Sequence, residues 1–298
     1  MMDDFTTMEI QTAETRIFLR SKGSGPPLLL LHGFPQTHVM WHRVAPVLAR
    51  KFTVICADLR GYGGSGCPPS TPDHAPYSKR SMAQDMVSVM ERLGFRRFSV
   101  AGHDRGGRVA YRLALDHPDR IQRLAVLDIL PTDTVWDRAD ARFALAFWPW
   151  SLLAQPAPLP ERILMSSAED IVDDALGNWG SSADAFPADV RAHYMKALQS
   201  ADHAHAICEE YRAAATLDRD HDKADRANGR RIACPLLVLW SKHGALDTWY
   251  ESESGPLGLW RTLADDVRGH AIDAGHFFPE EVPEQTAAAL DRFFGVVG

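Results

Sequence analysis

Asp104 stands in Gly102-His103-Asp104-Arg105-Gly106, between an apolar run, Phe98-Ser99-Val100-Ala101, and a segment of helical character, Gly107–Ala114. A strand that turns sharply into a helix, with small residues crowding the turn, presents its corner side chain as an exposed nucleophile. Serine is the usual occupant of such a corner, and here a carboxylate replaces it. A carboxylate is ionised at neutral pH and needs no base to activate it. Its direct attack on carbon gives a covalent ester, so the segment points to displacement at a saturated carbon rather than to acyl transfer.

Four further sets of residues complete that chemistry. His276, in Asp273-Ala274-Gly275-His276-Phe277-Phe278-Pro279-Glu280-Glu281, follows a short strand-like run and lies near the C-terminus. The chain order nucleophile, acid, histidine puts the base there. The acid has two seats. Asp128, after Val126-Leu127, fits one, while the other, after Leu239-Trp240-Ser241, holds Gly244 with Asp247 slightly beyond as a fallback. We favour Asp128 as the group that orients His276 and stabilises its protonated form. His32-Gly33-Phe34-Pro35 follows an early strand, where a loop N–H supplies one oxyanion donor and the N–H of Arg105 the other. Arg105 and Arg108, three apart at a helix start, share one face beside the nucleophile. Two guanidinium groups there offset the repulsion between Asp104 and an anionic substrate and clamp a carboxylate through paired donors.

These residues need a frame. Apolar strand-like runs recur at Leu28–Leu31, Phe52–Ala57, Phe98–Ala101, Leu124–Leu130 and Leu236–Trp240, separated by amphipathic stretches such as Ser81–Leu93. Thr15–Arg20 reads as an antiparallel starter strand. The alternation predicts an α/β architecture, a mostly parallel central sheet flanked by helices. It breaks after Pro131: from Thr132 to about Arg230 there are only helix-like pieces interrupted by prolines. We expect the α/β-hydrolase fold, with residues 1–131 and 231–298 as core and 132–230 as an inserted helical cap over the strands' C-terminal edge. The 298 residues suffice for this, and a net charge of −7 without a Lys/Arg run argues against nucleic-acid binding. The sequence shows neither a secretory signal nor a bilayer-length apolar stretch, so no membrane association is expected. Four scattered cysteines without metal spacing fit reduced thiols and a cytoplasmic location.

Three segments resemble the haloacetate (fluoroacetate) dehalogenases: His103–Val109, Ala154-Gln155-Pro156-Ala157-Pro158-Leu159-Pro160-Glu161 within the cap, and Gly275–Glu281. The resemblance runs across nearly the whole chain. It implies that Asp104 displaces halide from a small halogenated carboxylate, that water activated by His276 then hydrolyses the ester, and that Arg105 and Arg108 hold the substrate. It also implies a homodimer and a halide cradle in which Trp150 and Tyr211 take part. Where the family has a halide-binding His, this chain has Pro149, so we expect chloro- and bromoacetate to be preferred over fluoroacetate. Another histidine, such as His205, could fill that gap. Trp179 and Trp148 are candidate pocket walls. No metal or cofactor is expected. The competing enzyme is an epoxide hydrolase using the same triad, with Tyr194 and Tyr211 as acids; the competing non-enzyme is a carboxylate receptor.

Overall fold

A computed structural model describes residues 2–295. Eight strands form one sheet: β1 (Thr6–Gln11), β2 (Arg16–Lys22), β3 (Pro27–Leu31), β4 (Thr53–Ala57), β5 (Phe98–His103), β6 (Ile121–Leu127), β7 (Leu236–Ser241) and β8 (Val267–Ile272). Their spatial order is β1-β2-β4-β3-β5-β6-β7-β8. β2 runs antiparallel to β1 and β4, and the remaining pairs are parallel. The apolar runs of β3, β5 and the end of β6 are fully buried, as expected for central strands covered by helices on both faces. The polar β1, with its half-exposed pattern, sits at the edge and has no apolar run to betray it.

The helix Lys79–Arg92 packs Met82, Met86, Val89 and Met90 inward and is capped by Ser78, whose side chain accepts the Ser81 N–H. The starter strand lies slightly later than the sequence suggests, and β6 stops at Leu127, before the expected Leu130. The early stop has a cause. Asp128 adopts φ +53° and donates its N–H to Leu239 O at 2.8 Å, turning the chain out of the sheet.

Between β6 and β7 the described chain forms helices from Thr132–Asp137 to Leu217–Ala227, followed by one isolated β-bridge of Ile232 to Ala264. This helical segment is tied to the core by buried charge. Arg112 on the helix Asp104–Asp116 donates to Asp222 at 2.6 Å and also pairs with Asp225, and the Tyr111 hydroxyl donates to Asp222 at 2.8 Å. Within the described residues no helix is long and apolar enough to cross a membrane.

Candidate active site

The strand ends bring the sequence-selected groups together. Asp104 is the first residue after β5 and takes φ +45°, a conformation that costs a non-glycine residue on the order of 1–3 kcal/mol. Glycine permits the turn: a Cβ at Gly106 would lie 2.4 Å from His32 O, and one at Gly102 would lie 2.3 Å from Gly106 O. Asp104 Oδ1 accepts the Phe34 backbone N–H at 2.9 Å. One carboxylate oxygen is thus fixed by the loop after β3. Burial alone would raise the Asp104 carboxyl, but His276, Arg105, His103 and Arg108 outweigh it and hold it below the ordinary carboxylate value.

His276 faces it from the loop after β8. Its Nδ1 lies 2.6 Å from Asp128 Oδ2, while its buried Nε2 has no protein partner. Nδ1–H therefore donates to Asp128, and Nε2 carries the lone pair that accepts a proton. Burial works to lower its pKa, yet the bond to Asp128 and the charges of Asp128, Asp104 and Glu281 raise it above the ordinary histidine value. Asp128 is itself anchored, its Oδ1 accepting the Ser241 N–H at 2.8 Å across the end of β7. Asp247 instead accepts the Trp240 indole N–H at 2.8 Å. A Cβ at Gly244 would lie 3.8 Å from Asp128 Oδ2, so the two possible seats of the acid converge on the same place.

A cavity of about 480 Å³ opens onto this triad, lined by Asp104, Asp128 and His276 and by Trp150, Tyr211 and Trp179 from the helical segment. Arg105, Arg108 and Phe34 lie behind that lining. The Arg105 guanidinium sits 4.1 Å from the Tyr211 ring centroid and 5.4 Å from that of Trp150, and Arg108 sits 4.3 Å from the Trp150 ring. The Phe34 ring meets Tyr211 edge-on, with centroids 5.8 Å apart.

The two arginines differ in their partners. Arg105 gives its Nε to both oxygens of Glu210, at 2.7 and 2.9 Å. Its Nη2 lies 2.5 Å from Oε1 without hydrogen-bond geometry, and Nη1 has no partner. Arg108 donates Nη1 to Leu130 O at 2.9 Å and to Thr132 Oγ1 at 3.2 Å, and its Nε is unpartnered. Among the described residues no carboxylate lies within ion-pairing distance of Arg108, although it is only 3% exposed. Burial, then the charge of Arg105, lowers its pKa.

Two expectations need correction. Tyr194 does not line the cavity; its hydroxyl donates to Glu280 Oε1 at 3.0 Å in the interior, so it cannot serve as an epoxide-protonating acid in this arrangement. His205 bonds Ser70 and Glu161 outside the cavity and does not replace the histidine missing at Pro149, which does line it. The Trp148 indole N–H, also on the wall, is taken by Asp174 at 3.2 Å. Sequence reasoning missed Glu210, Lys79 and Glu280. Glu210 had a signal: an acid among Ala206, Ile207, Ala213 and Ala214 on a helix whose apolar face is buried.

A family profile described as alpha/beta hydrolase fold matches residues 26–281. The chain is 42% identical to a fluoroacetate dehalogenase of Burkholderia sp, over 98% of this chain and 95% of that protein. It is 29% identical to a soluble epoxide hydrolase of Corynebacterium sp. (strain C12), over 94% and 93%. The solved structure of ALR0039 from Nostoc sp PCC 7120 superposes with a TM-score of 0.95 at 48% identity, covering 99% of both chains.

Proposed function

The chain belongs to the alpha/beta hydrolase family, on the branch that includes the fluoroacetate dehalogenase, and we propose that it hydrolyses the carbon–halogen bond of a small 2-haloacid. The observation that carries this reading is the buried Arg108, a cation without a carboxylate partner, stacked with Arg105 on Trp150 beside an ionised Asp104. An uncompensated buried charge is costly unless a ligand completes it. A substrate carboxylate is the group that does so, and it leaves the neighbouring carbon within reach of Asp104.

Asp104 Oδ2 attacks that carbon, the carbon–halogen bond breaks, and halide leaves with the bonding pair. The product is an ester between Asp104 and the 2-carbon of the acid. His276 Nε2 then takes a proton from water, whose oxygen attacks the Asp104 carboxyl carbon. The Phe34 and Arg105 backbone N–H groups receive the oxyanion. Collapse releases the 2-hydroxy acid, whose alkoxide takes the proton held by His276; the second proton of the water leaves the Asp104 carboxyl for solvent, and the carboxylate is restored. Residues 132–230 act as the cap, with Trp150, Tyr211 and Trp179 walling the site.

The leaving group meets few donors. Pro149 has none, and the Trp148 indole is already occupied. One lost hydrogen bond to a developing anion costs ~1.5–3 kcal/mol, or about 10- to 150-fold in rate. Fluoride needs donors most, so kcat/KM should fall from bromo- and chloroacetate to fluoroacetate. Pro149→His should raise defluorination selectively, by up to that factor. A halide-release panel over the three acids tests both statements. Fluoroacetate as the best substrate would overturn the preference, and styrene oxide turnover with no halide from any haloacid would overturn the function.

A further inference from the structure

A ladder of alternating charges leads from Arg105 away from the cavity. Glu210, which holds the Nε edge of Arg105, also pairs with the Lys79 ammonium and accepts the Tyr62 hydroxyl at 3.2 Å. Lys79 lies 3.6 Å from Asp218 Oδ2, and its backbone N–H donates to Asp218 Oδ1 at 2.9 Å. All four charged side chains are buried. Neither Glu210, Lys79 nor Asp218 lines the cavity, and no chemical step above uses them.

Buried ion pairs add little net stability, because desolvation offsets their attraction. Their geometry points to another role. Glu210 occupies one edge of the Arg105 guanidinium and leaves the buried Nη1 for a ligand. Charge balance agrees. With the site empty, Arg105, Arg108 and Lys79 face Asp104, Glu210 and Asp218, three cations against three carboxylates. A bound haloacid adds one negative charge. Departure of halide removes one, while esterification neutralises Asp104 and the substrate carboxylate remains. The ester intermediate is therefore balanced again.

Building on the function proposed above, we propose that Glu210, Lys79 and Asp218 are positioning residues that set the affinity of Arg105 for the substrate carboxylate through their alternating charge. Screening is weak in a buried network, so each rung is felt at the next. Removing the Glu210 charge leaves Arg105 less neutralised and strengthens anion binding. Removing Lys79 lets Glu210 act on Arg105 undiluted and weakens it. Removing the Asp218 charge strengthens binding again, by less. If Lys79 sheds its proton when Glu210 is lost, the first sign still holds, because Arg105 touches Glu210 directly and Lys79 only through it.

Acetate, a carboxylate without a leaving group, is the probe, titrated calorimetrically into the full chain and into Glu210→Gln, Lys79→Met and Asp218→Asn at one pH and salt concentration. The Kd should fall roughly fivefold in Glu210→Gln, rise by a similar factor in Lys79→Met, and fall by a smaller factor in Asp218→Asn, as coupling energies in contacting networks imply. The double variant Lys79→Met with Glu210→Gln should return to within about twofold of the parent. Should Glu210→Gln fail to fold, Asp218→Asn tests the same sign and keeps the acceptor for the Lys79 N–H. Shifts of one sign in all the variants, or none, would overturn the ladder and leave the dehalogenase reading standing. Absence of acetate binding to the parent would overturn both.

Discussion

Three carboxylates raise the His276 pKa against burial in the resting site, Asp128 through Nδ1 and Asp104 and Glu281 through space. In the proposed cycle, esterification of Asp104 removes one of them. The imidazole thus becomes easier to deprotonate at the stage where it must act as base. Displacement itself needs only the Asp104 carboxylate, which its cationic surroundings keep ionised well into acid. The two steps should separate with pH. Below the pKa that His276 keeps in the ester, the ring is protonated and hydrolysis stalls, so rapid mixing with chloroacetate at pH 5 should give a halide burst approaching one per chain. At pH 9 the burst should shrink, because hydrolysis keeps pace. Linear release at pH 5 would contradict this division of labour. In His276→Asn the burst should persist at every pH, and intact-mass measurement should find the chain heavier by one carboxymethyl group; no adduct would mean that Asp104 is not alkylated.

At the level of elements, the site depends on two strand ends that turn through positive φ, at Asp104 after β5 and at Asp128 after β6. The first was legible, because Gly102, Gly106 and Gly107 mark a turn where backbone must approach backbone. The second was half legible. Asp128 was readable as an acid, but the apolar Ile129 and Leu130 disguised the end of β6. The ties between the helical segment and the core were not legible, since their partners are far apart in sequence. Glu280, four residues after His276, accepts from Gln36 at 2.5 Å and from Tyr194 at 3.0 Å, joining the loop of Phe34 to the helix Ala188–Leu198. Burial pushes its carboxyl up to about 8 against those hydrogen bonds. A group whose folded pKa is raised favours the fold most below its unfolded value, near 4.5, and loses that contribution as pH rises through about 8. Glu280→Gln is neutral throughout. Its Tm relative to the parent should therefore improve between pH 5 and pH 9, by on the order of a few °C. A Tm difference that stays constant over that range would show that Glu280 is not neutral in the fold.

For the molecule as a whole, the sheet was legible because central strands covered on both faces must be apolar runs, whereas the polar edge strand β1 has no such constraint. The residues proposed as nucleophile, acid, base and carboxylate clamp could be picked from the sequence because each is a chemical type with a required place in the chain. The charge ladder behind Arg105 was not, because burial turns ordinary surface residue types into a network that only the fold assembles. The chain carries a net charge of −7, so the proposed recognition of an anion rests on a few interior arginines rather than on the field of the surface. In the cycle we propose, all of these parts act together and water attacks the Asp104 carboxyl carbon rather than the substrate. Single-turnover reaction with chloroacetate in water enriched in heavy oxygen, followed by peptide mass analysis, tests it directly. One labelled oxygen should appear in Asp104 and an unlabelled hydroxyl in the first glycolate formed. Label in glycolate with none in Asp104 would contradict the covalent route.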